Sequence, residues 1–354
     1  MHLHAEILPV HTRHPFYIAR GGRSEYRVVW VRLVDRDGAE GWGEAAPSAY
    51  YGEDADTVMV ALRKFAPLLE QADAWSVEAI ERELERVLRW NAAARCAVSA
   101  ALHDLLAKRL GVPLWKFWGL DRTATPRSSF TIGIAPDEAT LRARVREAAH
   151  YPILKIKLGS HWDRDVLRIV REEAPDATLR VDANCAWTPK QALGMLDALH
   201  AVGVDMLEQP LAPDDLAGLR FVRERASIPV VADESCLVAA DIPKLAGVVD
   251  GVNIKLAKCG SLREALRMIA VARAHGLRVM CGCMIETTLG IAAAAHLAPL
   301  LDDADLDGAA LLADDPFTGP ALGADGRLAL GDGAGLGVGR RGDGVGLPRI
   351  ETAH

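Results

Sequence analysis

Five charged residues sit at matching places in an otherwise apolar pattern: Lys157, Asp182, Glu208, Asp233 and Lys255. Each closes a short β-rich run (LKIK, TLRVD, DMLE, IPVVAD, GVNIK), and successive members lie 25, 26, 25 and 22 residues apart. That step is the length of one strand, one helix and two short loops, so the five recur at one height in a series of β/α units. Charges ending five successive apolar strands would be costly to bury without mutual compensation. The plainer alternative is a ring of salt bridges around a barrel rim.

Closure into an eight-stranded barrel turns each strand about 45° around the axis. Lys157 and Lys255 then lie four strands apart and face each other across the C-terminal mouth, where barrel enzymes place their chemistry. The three carboxylates occupy the arc between them. Without a cation they repel, and at least one protonates. An all-oxygen set suits a hard cation such as Mg²⁺, which keeps positions open for water or substrate oxygens. A substrate carboxylate on that metal would hold its α-carbon between two amines. Removing the α-proton leaves an enediolate, whose charge a divalent cation stabilises as it develops. A lysine at its reference pKa of about 10.4 is protonated and cannot act as a base. The metal and a neighbouring ammonium lower it, and Lys155, two residues before Lys157 on the same strand face, is placed to do so. With one amine on each face, one deprotonates and the other reprotonates, which is epimerisation or racemisation.

The elements that must position these groups are legible in the periodicity. Residues 1–50 alternate as strands do (YRVVWVRLVD, a DG turn at Asp37-Gly38, then AEGWGEAAP). From 54 to 111 apolar residues recur three and four apart, as in helices, and AARCAVSAALHDLLAKRLG ends at a C-cap glycine. A meander followed by helices predicts a small α+β domain over 1–125. After Pro126 short β-rich runs alternate with helical stretches near 136–149, 161–173, 189–201, 213–225, 239–246, 262–275 and 288–299, with a last short strand near 304–307. Seven or eight such units favour a closed barrel over an open doubly wound sheet. The expected fold class is α/β, a modified TIM-type (β/α)7β barrel over 126–318 with an α+β capping domain. A Gly-rich tail over 319–354 carries interspersed Leu and Val and is expected to pack back on the cap.

Composition narrows the partners. The chain has 354 residues, 50% hydrophobic and 25% charged, with a formal net charge of −7. Acidic and basic residues are interspersed, which argues against nucleic acid as a partner, since phosphate binding wants a basic face. The six cysteines form no pair of CxxC knuckles, so structural zinc is not expected, and a reduced compartment fits them. MHLHAEILPVHTRHPF has no apolar h-region, and the most apolar stretch, 289–301, contains His296 and is too short to span a bilayer. A cytoplasmic homo-oligomer that binds a small molecule, and neither membrane nor nucleic acid, is the expectation.

These residues also carry a family resemblance that covers nearly the whole chain. KIK at Lys155–Lys157, VDAN around Asp182, EQP at Glu208, ADES at Asp233 and NIK at Lys255 resemble the muconate-lactonising subgroup of the enolase superfamily. GWGEAAP and AARCAVSAALHDLLAKRLGVPLWKFWG resemble that subgroup's capping domain and its link to the barrel. The resemblance implies Asp182, Glu208 and Asp233 as Mg²⁺ ligands and Lys157 and Lys255 as acid and base. Within the subgroup, CGCMIETTLGIAAAAHLAP followed by Asp305 and Asp307 is similar to the dipeptide epimerases. There a DxD pair near the last strand holds the ammonium of the dipeptide, and two carboxylates do suit a group with three donors. The alternative for LDDADLDG is a solvated acidic loop. Thr131, ending the first barrel strand, matches a substrate-pocket position.

The resemblance further implies that two cap loops, roughly 16–26 and 48–54, set side-chain specificity. Arg20 or Arg23 in the first would meet an acidic side chain such as a C-terminal Glu. The function expected is a dipeptide epimerase of the L-Ala-D/L-Glu kind, acting at the α-carbon of the C-terminal residue. An N-acylamino acid racemase or o-succinylbenzoate synthase shares the lysines and metal but needs no ammonium anchor. A catalytically silent metal-binding scaffold is the alternative outside enzymology. Among the remaining residues, Glu234 reads as support for Asp233, His296 as a core histidine, and Cys281 and Cys283 as small-residue packing; Glu286 has no assigned place.

Overall fold

The computed structural model describes residues 1–342. The first unit is a three-stranded antiparallel sheet, β1 (His2–Ile18), β2 (Gly21–Val34) and β3 (Glu40–Ala45), in the order β1-β2-β3. Helices α1 (Ala55–Gln71), α2 (Val77–Val87) and α3 (Ala92–Arg109) pack on it, and a short α4 (Leu114–Phe117) leads onward. The GWGE motif explains the closest contact. A Cβ on Gly43 would lie 2.0 Å from the carbonyl oxygen of Ala97, and one on Gly41 2.0 Å from that of Ala101, so only glycine lets β3 lie against α3.

The second unit alternates strand and helix. Its strands are β4 (Phe130–Ile132), β5 (Ile153–Lys157), β6 (Thr178–Asp182), β7 (Val204–Glu208), β8 (Val230–Ala232), β9 (Gly251–Ile254), β10 (Arg278–Gly282) and β11 (Asp303–Asp305). They are parallel and ordered sequentially, and a bridge between Ser128 and Ala304 closes β11 onto β4. The crossovers carry α5 (Glu138–Ala148), α6 (Asp163–Glu173), α7 (Pro189–Ala201), α8 (Leu216–Arg223), α9 (Ile242–Leu245), α10 (Leu256–Cys259), α11 (Leu262–Ala274) and α12 (Thr288–Ala295). The stretch expected to be one helix at 239–246 is a 3₁₀ turn running into α9, with Pro243 in its first turn.

Period-two alternation sorts the barrel's two faces. Leu154, Ile156, Leu179, Val181, Val252, Ile254 and Val279 point outward into the main core with the helices. The interleaved positions point inward, where Met206, Val231 and Met280 form a small apolar cluster. The other inward positions carry most of the buried charge. Below the mouth, Arg180 pairs with Asp303 at 2.6 Å, and Arg278 reaches the same carboxylate at 2.8 Å.

Two features join cap to barrel. β12 (Phe317–Thr318) and β13 (Gly339–Arg340) pair antiparallel, and between them the chain returns to the first unit: Leu336 N–H donates to Asp104 at 2.7 Å, and Arg340 lies 4.6 Å over Trp30. The tail expected to return spans 319–354, of which 343–354 lie outside the described residues. The second joint is Glu44 of β3, which accepts from the Thr287 amide at 2.9 Å and from the Thr287 hydroxyl at the start of α12. Burial raises the Glu44 pKa to about 8, with Glu286 adding to the rise against the Thr287 hydrogen bonds. Among the described residues no helix is long and apolar enough to cross a membrane.

The pKa of Glu44 generates a testable slope. The folded value lies above the ordinary 4.5, so the folded state holds the proton more tightly than the unfolded chain. Its contribution is full below about pH 4.5 and is lost as pH rises to about 8. Glu44→Gln should therefore reduce the decline of stability over that window, read as urea midpoints measured at a series of pH values.

Candidate active site

Lys157, Asp182 and Glu208 end β5, β6 and β7, and Asp233 and Lys255 directly follow β8 and β9. All five are buried. Oxygens of Asp182, Glu208 and Asp233 lie within 4.8 Å of one another. Three buried carboxylates this close need positive charge, and the structure supplies it from lysines. Lys157 Nζ donates to Asp182 at 2.6 Å and Lys255 Nζ to Asp233 at 2.8 Å. The two amines thus sit at opposite ends of the carboxylate arc, as their strand positions require. An oxygen-only donor set converging in a buried pocket fits a hard divalent cation.

Lys155 sits deeper, 1% exposed, with Nζ 2.7 Å from Glu208, 2.7 Å from Asp305 and 3.3 Å from Asp182. Burial lowers its pKa, but Asp305, Glu208 and Asp182 more than offset this and hold it well above the ordinary lysine value. It is therefore a permanent ammonium on the same strand as Lys157. Lys255 is likewise raised, because Asp233 outweighs burial. Lys157 and Lys155 together hold Asp182 at about 2 against burial, whereas burial lifts Glu208 to about 7 despite Lys155.

The loop after the last strand joins this cluster, so it is not a solvated acidic loop. Asp305 and Asp307 are buried. Asp305 is committed: Oδ2 accepts from Lys155 and Oδ1 from the Ser129 hydroxyl at 2.6 Å. Asp307 accepts the Thr131 amide at 2.6 Å through Oδ2, Oδ1 lies 3.9 Å from the Cys283 thiol, and the Thr131 side chain also hydrogen-bonds this carboxylate. Burial, then the neighbouring Asp305 charge, raise Asp307 to about 7.

The cap supplies the roof. The stretch 16–26, expected as a loop, is the end of the β1–β2 hairpin, with Gly21 at φ 101° directly after its turn. Arg20 is spent on the barrel: its guanidinium donates to Glu234 at 2.7 Å and to the Asn184 carbonyl at 2.8 Å, and lies 4.1 Å over the Tyr50 ring. Arg23 lies 5.0 Å over Tyr26 and makes no ion pair among the described residues. The 48–54 segment is a 3₁₀ turn at Ala49–Tyr51 tied down by Glu53, whose carboxylate accepts the Ala92 and Ala93 amides at the start of α3. Burial raises the Tyr51 phenol well above its usual range, and the nearby Asp233 carboxylate adds to the rise. These parts enclose a cavity of about 530 Å³ lined by Lys157, Lys255, Asp233, Asp305, Asp307 and Thr131 together with Arg20, Arg23 and Tyr51.

Sequence reasoning missed several participants. Lys258 is 5% exposed, and its ammonium donates to Asp233 Oδ1 at 2.5 Å and to the carbonyls of Asp233, Cys236 and Asn253. Its signal was its place one helical turn after Lys255. Asn184 donates to Asp182 through both its amide and its side chain, in a left-handed conformation (φ 45°) that Asn tolerates. Asn253 donates to Glu208 at 2.8 Å. Each clustered carboxylate thus has a neutral or cationic partner that aims it. Glu286, unplaced from sequence, accepts the Met284 amide beside Glu44.

Fold and site together define a class: a two-domain barrel enzyme of the enolase type. The chain belongs to the mandelate racemase/muconate lactonizing enzyme family, whose N-terminal domain model matches residues 3–119, while the enolase C-terminal domain-like model matches 138–343. It is 40% identical over 330 residues to the L-Ala-D/L-Glu epimerase of Bacteroides thetaiotaomicron, covering 92% of this chain and 84% of that one. Its fold superposes on the dipeptide epimerase of Enterococcus faecalis complexed with Mg and L-Leu-L-Tyr, with TM-score 0.90, 32% identity and coverage of 95% and 98%. A dipeptide epimerase from Methylococcus capsulatus complexed with Mg and L-Arg-D-Lys is similar at TM-score 0.87 and 33% identity, covering 95% and 98%.

Lys258 offers a direct check on how the site is held. Lys258→Met removes one of the two cations on Asp233 and takes a donor from the carbonyls of Asp233, Cys236 and Asn253. The expected loss is about 3–5 kcal/mol of stability, read by denaturant unfolding.

Proposed function

We propose that this chain is a magnesium-dependent dipeptide epimerase that inverts the α-carbon of the C-terminal residue. The observation that carries the reading is one cavity holding both halves of the task. Asp182, Glu208 and Asp233 lie between Lys157 and Lys255, and Asp307, with one oxygen that takes no backbone donor, lines the same space. Mg²⁺ at the three carboxylates would bind the substrate carboxylate and stabilise the negative charge that proton loss places on it. Lys157 and Lys255 then act from opposite sides of the α-carbon. One amine takes the proton and the opposite ammonium returns one, which inverts the centre. Lys155 keeps its charge and holds Glu208 and Asp305 in place.

The dipeptide's ammonium is anchored by Asp307, since Asp305 is already satisfied by Lys155 and Ser129. The Thr131 amide fixes the Asp307 carboxylate. For the C-terminal side chain, Arg23 rather than Arg20 is available to a carboxylate, because Arg20 is paired with Glu234. A dipeptide with a C-terminal Glu is therefore the favoured substrate. The six cysteines are free thiols, which supports a cytoplasmic setting.

Incubation with Mg²⁺ and L-Ala-L-Glu in D₂O should place one deuterium at the Glu α-carbon; no exchange on any dipeptide would sink the reading. Lys157→Ala and Lys255→Ala should each abolish epimerisation, and either variant that retains exchange should do so for one configuration only. Asp307→Asn should erase the preference for a free over an acetylated N-terminus; a variant that still prefers the free amine removes Asp307 from that role. Arg23→Ala should raise KM for L-Ala-L-Glu about tenfold, as expected for one charge-assisted hydrogen bond, and leave L-Ala-L-Leu unchanged.

A further inference from the structure

Two oxygens beside the carboxylate cluster have no donor among the described residues. Glu234 Oε2 and Asn184 Oδ1 are buried and unpartnered, although their residues line the cavity and are only 5% and 4% exposed. A buried acceptor without a donor costs about 1–3 kcal/mol, so such an atom marks a place where a donor arrives with a ligand. Glu234 is the more telling. Its other oxygen, Oε1, is taken by the Arg20 guanidinium at 2.7 Å and the Asn184 amide at 3.5 Å. Arg20 in turn is fixed by the Asn184 carbonyl and the Tyr50 ring. The hairpin tip of the cap therefore sets which way the Glu234 carboxylate faces.

No lysine reaches Oε2: the ammonium groups of Lys157, Lys255 and Lys258 donate to Asp182 and Asp233 instead. Nor is Glu234 among the residues whose oxygens converge within 4.8 Å. It directly follows Asp233 in the chain and lines the same cavity. A bound Mg²⁺ keeps several waters, whose hydrogens are strong donors. We infer that Glu234 is a positioning residue for the cation: Oε2 accepts a hydrogen bond from a water ligand of the metal, and Arg20 ties the cap hairpin to that contact. The inference rests on the magnesium reading of the carboxylate cluster. By linkage, cation binding then quiets the hairpin as much as the hairpin favours the cation.

The test is Mg²⁺ binding without substrate, by calorimetry, on wild type, Glu234→Gln, Arg20→Ala and the double variant, with metal-free melting curves to establish folding. Glu234→Gln should weaken Mg²⁺ by about 10–100-fold, the usual effect of losing an outer partner of a metal site. Arg20→Ala should weaken it less, and should cost nothing further in the Glu234→Gln background, because both act through one carboxylate. Hydrogen exchange of residues 16–26 should slow with Mg²⁺ in wild type and not in Glu234→Gln. Unchanged affinity in Glu234→Gln overturns the inference, as does full additivity with Arg20→Ala. So does unchanged affinity with a raised KM for dipeptide, which would set the free oxygen against substrate. Should Glu234→Gln not fold, Arg20→Ala carries the test, and unchanged affinity there overturns it. A wild type that binds no Mg²⁺ refutes the parent reading instead.

Discussion

Everything at the mouth of this barrel depends on keeping several carboxylates buried within a few ångströms of one another. Asp182, Glu208, Asp233 and Asp305 are each met by a lysine ammonium: Lys157, Lys155, Lys255 with Lys258, and Lys155 again. Removing Lys155 would leave both Glu208 and Asp305 without a cation in a low-dielectric interior. The same compensation prepares the chemistry. Lys157 and Lys255, the proposed bases, are the counterions of carboxylates that a dication would occupy, so one site accommodates two alternative sets of positive charge. The deeper lysines, Lys155 and Lys258, hold the frame in both cases, because their partners lie on more than one element.

The cap enters this economy at two levels. At a distance from the mouth, Glu44 docks the cap on the start of α12, and the returning chain at Leu336 docks on the cap's α3. At the mouth, the hairpin turn and the 3₁₀ segment bring Arg20, Arg23, Tyr50 and Tyr51 over the cavity. Arg20 shows how the two units share one electrostatic system, since it is a cap residue whose charge is balanced by Glu234 beside Asp233. A cap residue expected from the sequence to meet substrate is paired instead beside the carboxylate cluster, while Arg23 lines the cavity.

Much of this was legible in the residues themselves. Lys157, Asp182, Glu208, Asp233 and Lys255 stand at strand ends with near-constant spacing, and the barrel places them at one height with the lysines on opposing walls. The carboxylates of Asp305 and Asp307 were legible as a pair, and their burial was not. The division of labour between them depends on Ser129, Lys155 and Thr131, which lie some 150 residues or more away in the chain. Lys258 and Asn253 were passed over because a lone polar residue after an apolar strand carries no mark of whom it will meet. The stretch 16–26 was expected as a loop; it is the end of a long ribbon instead, with Ala19 and Arg20 in the turn and Gly21 and Gly22 paired with Ile18 and Tyr17.

Local periodicity alone determined the order of strands and helices, the barrel, and which side chains end each strand, because a period of two or 3.6 is set by the backbone and needs no partner. Strand-end spacing also determined the chemistry, since a repeating unit rotates each group by a fixed angle around a closed barrel. Pairing was decided by the tertiary structure. Which carboxylate takes which ammonium, which oxygen of Asp307 takes a backbone donor, and whether Arg20 faces substrate or Glu234 all follow from distances between elements far apart in sequence. Such distances depend on barrel closure and on how the cap docks, and burial then makes each pairing strong enough to matter.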